Sequence, residues 1–308
     1  MADNKEMKKT SIGGQALIEG VMMRGPQATA MAVRHTSGEI VLEEWETEGA
    51  QKPKWMKWPF VRGIFNFIDS LRFGYKALMR SAELSGLEEL EEEEGELPSW
   101  FMNTLMVLSA VFGVAISVVL FIWLPAFLFR LLSKAVPVLD NAVVRGVFEG
   151  VLRIVLFVGY VVVISFMKDI RRVFMYHGAE HKTIFCYEKG LPLTVENVRE
   201  QSRFHPRCGT SFMILMLLVG MVVSMLIPDM NAGLRTAIKI LTLPIIVSIG
   251  YELIKLAGRK DNAFTRFISK PGVWMQHLTT KEPEDAMIEC AIAAMEKVIP
   301  EDAEADRW

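Results

Sequence analysis

The sequence predicts a mainly α fold: a polytopic membrane protein with about four transmembrane helices, a small N-terminal β-hairpin region and amphipathic interfacial helices. Hydrophobic residues make up 51% of the 308 residues, and the mean hydropathy of +0.28 is high for a soluble domain. The segment from Phe101 to Phe129 contains no charged residue. It is longer than the about 20 residues that a helix needs to cross a membrane. These observations exclude an ordinary soluble globular protein.

A small β-hairpin region is predicted between Gly13 and Glu48. Residues Ala30–His35 and Ile40–Glu46 have strand character, and the Thr-Ser-Gly-Glu segment between them is typical of a turn. The string from Gly13 to Pro26 precedes this hairpin and contains four glycines. It has neither the ending of a phosphate-binding loop nor the glycine spacing of a dinucleotide site.

An amphipathic helix is predicted over residues 60–80, where apolar side chains recur on one helical face and Trp55 and Trp58 precede them. Two interpretations remain open: the helix lies in the membrane interface, or it packs against the rest of the protein. Residues 88–96 include seven glutamates, which favours a solvated linker without a cation site. Residues 283–299 are predicted to form a short amphipathic helix.

Four apolar segments are predicted to cross the membrane. In the second, Glu149 and Arg153 are four residues apart near one end. In the fourth, Lys239 is near the start, and we expect its ammonium group to snorkel to the interface. No segment has a charge at its centre, so transport is less favoured than the functions considered below. The four predicted spans are 101–129, 146–167, 210–228 and 236–256.

Basic residues predict the orientation, because cytoplasmic loops are enriched in Lys and Arg. They are concentrated in 168–208 and after the fourth span. We therefore expect a multi-pass cell-membrane protein with both termini cytoplasmic, and residues 1–20 contain no apolar region of a cleavable signal. The predicted organisation is an N-terminal cytoplasmic region with short strands (1–54), an amphipathic helix and acidic linker (55–98), a four-span membrane domain including the cytoplasmic loop 168–208 (99–258), and a cytoplasmic C-terminal tail (259–308).

A metal site is predicted on the cytoplasmic side, where rare ligand types are concentrated. His177 and His181 are four residues apart and share a helix face, and Glu180 gives the H-x-x-E-H order. In sites of that order the two His residues bind Zn²⁺ and the Glu activates a water. His205 and Cys208 follow just before the third span. Imidazole with thiolate suits Zn²⁺ best, and these ligand types also bind Fe or Cu.

The threading of the chain brings these two clusters to one membrane face, because the second span exits where the third enters. We therefore expect a divalent metal, Zn²⁺, bound by His177, His181, His205 and Cys208, with Glu180 as the catalytic general base. A closed shell of four ligands would be structural, whereas three ligands with an open position would permit hydrolysis.

The glycine-containing string has two interpretations. One is a strand bounded by tight turns, which residue type favours slightly. The other makes Gln15, Glu19 and Arg24 a polar wall over the metal region.

Four separated motifs make the chain resemble the bacterial YqhQ-like family of membrane proteins of unknown function, sometimes described as predicted metal-dependent enzymes. The resemblance covers residues 10–290. It implies a multi-span membrane protein in which His177, Glu180, His181, His205 and Cys208 belong to a metal site, and it implies no particular reaction. The motifs are GGQALIEGVMMRGP, YHGAEHKTIFCYE, RFHPRCGTSF and KPGVWMQHLTTKEP.

Two functions from different classes follow. The first is a metal-dependent hydrolase at the inner membrane face, acting on a lipid-linked group or a membrane peptide. The second is a non-catalytic membrane scaffold with a structural metal site and a docking surface for a membrane-protein partner. Membrane lipids are expected partners in both, and the formal net charge of −2 gives no general attraction for nucleic acid.

Overall fold

The computed structural model describes residues 8–47, 53–87, 99–139, 141–228, 230–259, 262–302 and 305–306. The predicted acidic linker at 88–96 lies outside these residues. The strands are β1 (Gly13–Leu17), β2 (Gly20–Arg24), β3 (Ala28–Arg34) and β4 (Ile40–Glu46). The helices are α1 (Val61–Ser85), α2 (Ser99–Val118), α3 (Leu124–Ala135), α4 (Ala142–Ile164), α5 (Lys168–Glu188), α6 (Val195–Arg199), α7 (Gly209–Leu226), α8 (Ala232–Leu241), α9 (Leu243–Arg259), α10 (Ala263–Thr279) and α11 (Asp285–Val298).

The N-terminal sheet is an antiparallel meander in the order β1-β2-β3-β4. The predicted hairpin is β3–β4, in which Ala32 pairs with Leu42. The glycine-containing string forms a further hairpin, β1–β2, in which Leu17 pairs with Gly20. Glu19 occupies its turn with a positive φ of 51°. The predicted β-hairpin region is therefore a four-stranded sheet made of consecutive hairpins.

Both faces of the sheet are covered by helices. Side chains of α5 and α11 pack with β2 and β3 in one apolar core. On the opposite face Ala77 of α1 packs with Leu17, Met22, Met31 and Val33. The N-terminal strands, the segment after α4 and the C-terminal helix thus form one folded unit outside the membrane spans.

Four helical segments are long and apolar enough to cross a membrane, namely 104–135, 142–164, 209–226 and 233–257. The mainly α fold with four candidate spans and a small N-terminal sheet is therefore confirmed. The first segment is longer than predicted and contains a π-helical turn at Val119–Trp123. The last consists of α8 and α9, which meet at Thr242.

The side chain of Lys239, near the start of the fourth span, does not reach the membrane interface. Lys239 is buried, and its ammonium donates to the carboxylate of Glu149 on α4. Arg153 adds a second ion pair to Glu149 at 3.3 Å. Lys239 therefore pairs inside the helix bundle instead of snorkelling to the interface.

Helix α1 shows features of both predicted interpretations. Its Gly63 packs closely on Ser248 and Tyr251 of α9, and its C-terminal half covers the sheet. Between these contacts, Leu71 and Tyr75 are 59% and 62% exposed. An apolar ridge of α1 thus remains uncovered beside the membrane helices.

Candidate metal centre

The HGAEH segment lies on α5, which does not continue the second span. Helix α4 ends at Ile164, and the extended backbone of Met167 (φ −68°, ψ 132°) precedes α5. Ten residues of straight helix would place His177 about 15 Å beyond Met167. The change of direction instead brings α5 alongside the start of α7. This break permits the contacts described next.

Three ligand-type side chains converge where α5 meets α7. The rings of His177 and His181 are 4.4 Å apart, as expected for residues one helical turn apart. The Nε2 of His177 lies 3.2 Å from the Sγ of Cys208. One ligand atom from each of His177, His181 and Cys208 lies within 4.8 Å of the other two. Cys208 caps the N-terminus of α7, where its Sγ accepts from the backbone N–H of Thr210 at 3.4 Å.

Backbone carbonyls orient both imidazoles. The Nδ1 of His177 lies 2.8 Å from the Thr279 carbonyl, and the Nδ1 of His181 lies 2.6 Å from the Arg203 carbonyl. Each Nδ1 therefore carries a proton, and Nε2 is the nitrogen that each ring can offer to a metal. The Nε2 of His181 is buried and has no hydrogen-bond partner among the described residues. A bound metal ion would give this nitrogen the partner that it lacks.

The electrostatics favour the metal-binding form of the thiol. Burial alone would raise the pKa of Cys208, but His177 and His181 outweigh it and hold the pKa well below its usual value. Conversely, burial lowers the pKa of His177, but Cys208, Glu180 and the Thr279 carbonyl together outweigh that effect and raise it to about 9. The pair therefore has the character of a thiolate beside an imidazolium, and thiolate is the form that binds metals.

Glu180 is buried beside this cluster under the first strand. The backbone N–H of Gly14 faces its carboxylate, and a Cβ added to Gly14 would lie only 2.8 Å from its Cγ. Burial raises the pKa of Glu180 although His177 and His181 lower it. The close approach of strand and side chain explains why a residue without a Cβ occupies position 14.

His205 is not among the converged ligand atoms, although we predicted it as a ligand. Its Nε2 faces Glu188 at 3.4 Å, and its Nδ1 accepts from the backbone N–H of Arg207 at 3.3 Å. Glu188 is buried and also accepts from the Arg207 guanidinium. In this geometry His205 belongs to an ion-pair group beside the cluster, and Cys208 is the member of the HPRC motif that contacts His177.

The loop before Cys208 is fixed by a residue that the sequence does not single out. The buried side-chain amide of Gln276 on α10 accepts from the His205 N–H at 2.7 Å and donates to the His205 carbonyl at 2.7 Å. Thr279, on the last turn of α10, supplies the carbonyl that orients His177. Both lie in the fourth family motif, KPGVWMQHLTTKEP, but nothing in their residue types distinguishes them from ordinary helical residues.

The three polar residues of the glycine-containing string do not form a wall together. The Gln15 amide donates to the Gly74 carbonyl at 3.3 Å, and Arg24 lies over the ring of Phe73 on α1. Glu19 instead faces α5, where it pairs with Arg172 at 2.5 Å. The string approaches the cluster through the backbone of Gly14.

Arg172 and the neighbouring Tyr176 both contact Glu19, and Tyr176 directly precedes His177 in the chain. The β1–β2 turn is thereby attached to the helix that carries both imidazoles.

The donor set fits Zn²⁺. Two imidazole nitrogens and one thiolate are ligands that zinc prefers, and three protein ligands leave one tetrahedral position open. Within the described residues, this is the one group of three or more His, Cys, Asp or Glu side chains whose ligand atoms converge.

Comparisons with known proteins agree with the sequence motifs. The profile of a family described as "Protein of unknown function (DUF1385)" matches residues 58–301. The chain is 35% identical over 305 residues to "Uncharacterized protein YqhQ" of Bacillus subtilis (strain 168), covering 96% of this chain and 94% of that protein. No solved structure is significantly similar to it. The chain therefore belongs to the DUF1385 family of proteins of unknown function.

Proposed function

We propose that this protein is an integral membrane metalloprotein that binds one Zn²⁺ through His177, His181 and Cys208 and uses it for hydrolysis at the cytoplasmic membrane face. The observation that carries the proposal is the convergence of three ligand atoms within 4.8 Å. Each imidazole already gives its Nδ1–H to a carbonyl. A hydrogen bond from the ring nitrogen that does not bind the metal is typical of zinc-bound histidines.

In this proposal the chain's own groups have separate tasks. His177, His181 and Cys208 hold the metal, and bound Zn²⁺ acts as a Lewis acid that makes a nearby water more acidic. Glu180 accepts a proton at its carboxylate, in the role that the H-x-x-E-H order assigns to it. The Gly14 backbone fixes that carboxylate.

A structural role is the second candidate, and one observation favours it. The cluster joins α5 to Cys208, the N-cap residue of α7, so a metal there would hold the break between α4 and α5 in one geometry. Glu180 would then be a fourth ligand or a buried acid. The chain would act as a membrane scaffold for a membrane-protein partner.

Metal stoichiometry and ligand count separate the candidates. The full chain is purified in detergent, bound metal is measured by mass spectrometry, and ligands are counted by X-ray absorption. We expect one Zn²⁺ with two nitrogen ligands, one sulfur ligand and a water. A shell of four protein ligands would contradict the hydrolase and support the scaffold.

Variants then test the individual roles. His181→Ala is expected to abolish metal binding, whereas His277→Ala, at an exposed histidine outside the cluster, keeps it. Glu180→Gln removes the proton acceptor while preserving size. We expect it to retain zinc and to fail to complement a deletion strain. Full complementation by Glu180→Gln with normal zinc content would refute the hydrolase.

In this proposal the protein lies in the cell membrane, and the cluster, the 168–208 segment and both termini face the cytoplasm. The concentration of basic residues in 168–208 and after the fourth span supports this orientation. The substrates that fit are lipid-linked groups or membrane peptides, because the start of α7 brings Cys208 to the membrane face. Membrane lipids are the expected surroundings, and nucleic acid is not an expected partner.

A further inference from the structure

A second group of charged side chains lies within the membrane spans, far from the metal centre. The buried carboxylate of Glu149 accepts from Lys239 and, at 3.2 Å, from the Ser224 hydroxyl. Arg153 lies 3.3 Å from the same carboxylate. Ser224 and Cys208 are at opposite ends of α7, which places them about 24 Å apart at 1.5 Å per residue. This group therefore belongs to the other membrane face.

A cavity of about 360 Å³ opens beside this group, and its lining is strongly basic. Among the described residues, Glu149 is the single carboxylate in its wall. Arg130 and Lys134 lie four residues apart on α3, are exposed, and form no ion pair within the part of the chain that the structure describes. Like charges at this spacing repel each other. The basic lining residues are Arg130, Lys134, Arg145, Arg235 and Lys239.

A larger apolar cavity of about 760 Å³ adjoins the basic one, and Lys239 lines both. Its wall comes mostly from apolar side chains of α2, α7 and α9, and Arg153 lies in it. Gly113 widens it, because a Cβ added there would have no atom within 4 Å. At the basic end Trp123 and Phe127 stack at 4.8 Å. Such aromatic residues are typical of the headgroup region of a membrane.

We propose that these two cavities bind one anionic phospholipid, with its phosphate in the basic cavity and an acyl chain in the apolar cavity. Arg and Lys side chains form strong charge-assisted hydrogen bonds with phosphate oxygens. A phosphate between Arg130 and Lys134 relieves their mutual repulsion. The acyl chain fills an apolar volume that opens directly beside the same lysine. The site is independent of the zinc centre and does not rest on the proposed function.

Native mass spectrometry of the full chain in detergent tests the proposal. The protein is titrated with phosphatidylglycerol and with phosphatidylcholine of the same acyl chains. We expect tighter binding of phosphatidylglycerol. In Arg130→Gln/Lys134→Gln its affinity is expected to fall about 25-fold, since each basic residue near a membrane surface contributes about fivefold. The matched control, Lys168→Gln/Lys270→Gln, removes two exposed lysines that line neither cavity and is expected to bind like the wild type.

A second variant tests the acyl-chain cavity without disturbing the charges. Gly113→Phe fills the open space beside position 113 and is expected to weaken phosphatidylglycerol binding while the melting temperature and zinc content stay unchanged. Inorganic phosphate is expected not to compete at concentrations at which the lipid saturates. Unchanged lipid binding in either variant, equal binding of phosphatidylcholine, or full competition by inorganic phosphate would overturn the proposal.

Discussion

Substitution of Gly14 by alanine is the sharpest test of how the first strand holds Glu180. The new methyl group would lie 2.8 Å from the Cγ of Glu180 and 2.9 Å from the carbonyl oxygen of Met22. Because carbon atoms pack best at about 3.5–4.0 Å, the Glu180 side chain or the strand must move by roughly 1 Å. Overpacking of this kind typically costs about 1–3 kcal/mol.

Thermal unfolding of the detergent-solubilised protein measures this cost. For a chain of this size it corresponds to a fall in Tm on the order of 5 °C. Gly13→Ala is the matched control, because a Cβ on Gly13 meets no atom within 4 Å. It makes the same chemical change in the same strand and is expected to leave Tm unchanged. Zinc content is expected to persist in both variants, since neither glycine contacts His177, His181 or Cys208 through its added Cβ.

The double variant Gly14→Ala/Glu180→Ala shows whether the cost comes from this contact. Truncating Glu180 removes the Cγ, so the part of the penalty that it causes disappears and the contact with Met22 remains. Direct contact of this sort produces non-additive free energies of unfolding. An equal loss of Tm for Gly14→Ala in both backgrounds, or equal Tm values for the Gly13 and Gly14 variants, would refute the placement of Glu180 under β1.

Three further predictions concern the membrane segments. Glu149→Gln leaves Lys239 buried without its carboxylate and is expected to destabilise the protein by about 3 kcal/mol in thermal unfolding. The double variant Glu149→Gln/Lys239→Met is expected to recover only part of this loss, because Arg153 and Arg235 also pair with Glu149. An unchanged stability of the single variant would contradict the buried pair. Trp58 precedes α1 and is 63% exposed, and we expect brominated lipids to quench its fluorescence. The Trp58→Phe variant should therefore lose part of the quenchable fluorescence. The same quenched fluorescence in the variant and the wild type would place the start of α1 away from the bilayer. With exposed cysteines introduced at Val138 and Glu200, we expect external labelling of the first and labelling of the second only after permeabilisation, and the reverse pattern would refute the orientation.

The spans were predictable because length and hydropathy alone identify a membrane helix. The ends of the spans were less predictable, because charged residues that mark a boundary in the sequence can lie within a continuous helical segment. Span one continues past Phe129 to Ala135 although Arg130 and Lys134 interrupt its apolar run. Lys239 has the sequence position of a snorkelling residue, but it pairs with Glu149, which is 90 positions away in the chain. A pairing between two spans leaves no local signal in either.

The site was predictable in part for a similar reason. The spacing of His177 and His181 places them together on any helix, so the sequence was sufficient to pair them. Which residue of the HPRC motif contacts His177 depends on where the loop before α7 turns. Hydrogen bonds from Gln276 on α10 fix that loop. The two ring nitrogens of His205 contact the Glu188 carboxylate and the Arg207 backbone N–H, so neither faces His177. No pattern within the motif carries this information.

The glycine-containing string shows why its two interpretations could not be separated by residue type. It is a strand with a tight turn, as the simpler interpretation holds, yet it also reaches the candidate metal centre. The polar residues that suggested a wall, Gln15 and Arg24, face α1 instead, because alternate residues of a strand point to opposite sides. Gly14 lies on the α5 side and comes within contact distance of Glu180 through its backbone. Residue type alone does not predict this role, because Gly14 contributes a backbone N–H and the absence of a Cβ, and not a functional side chain.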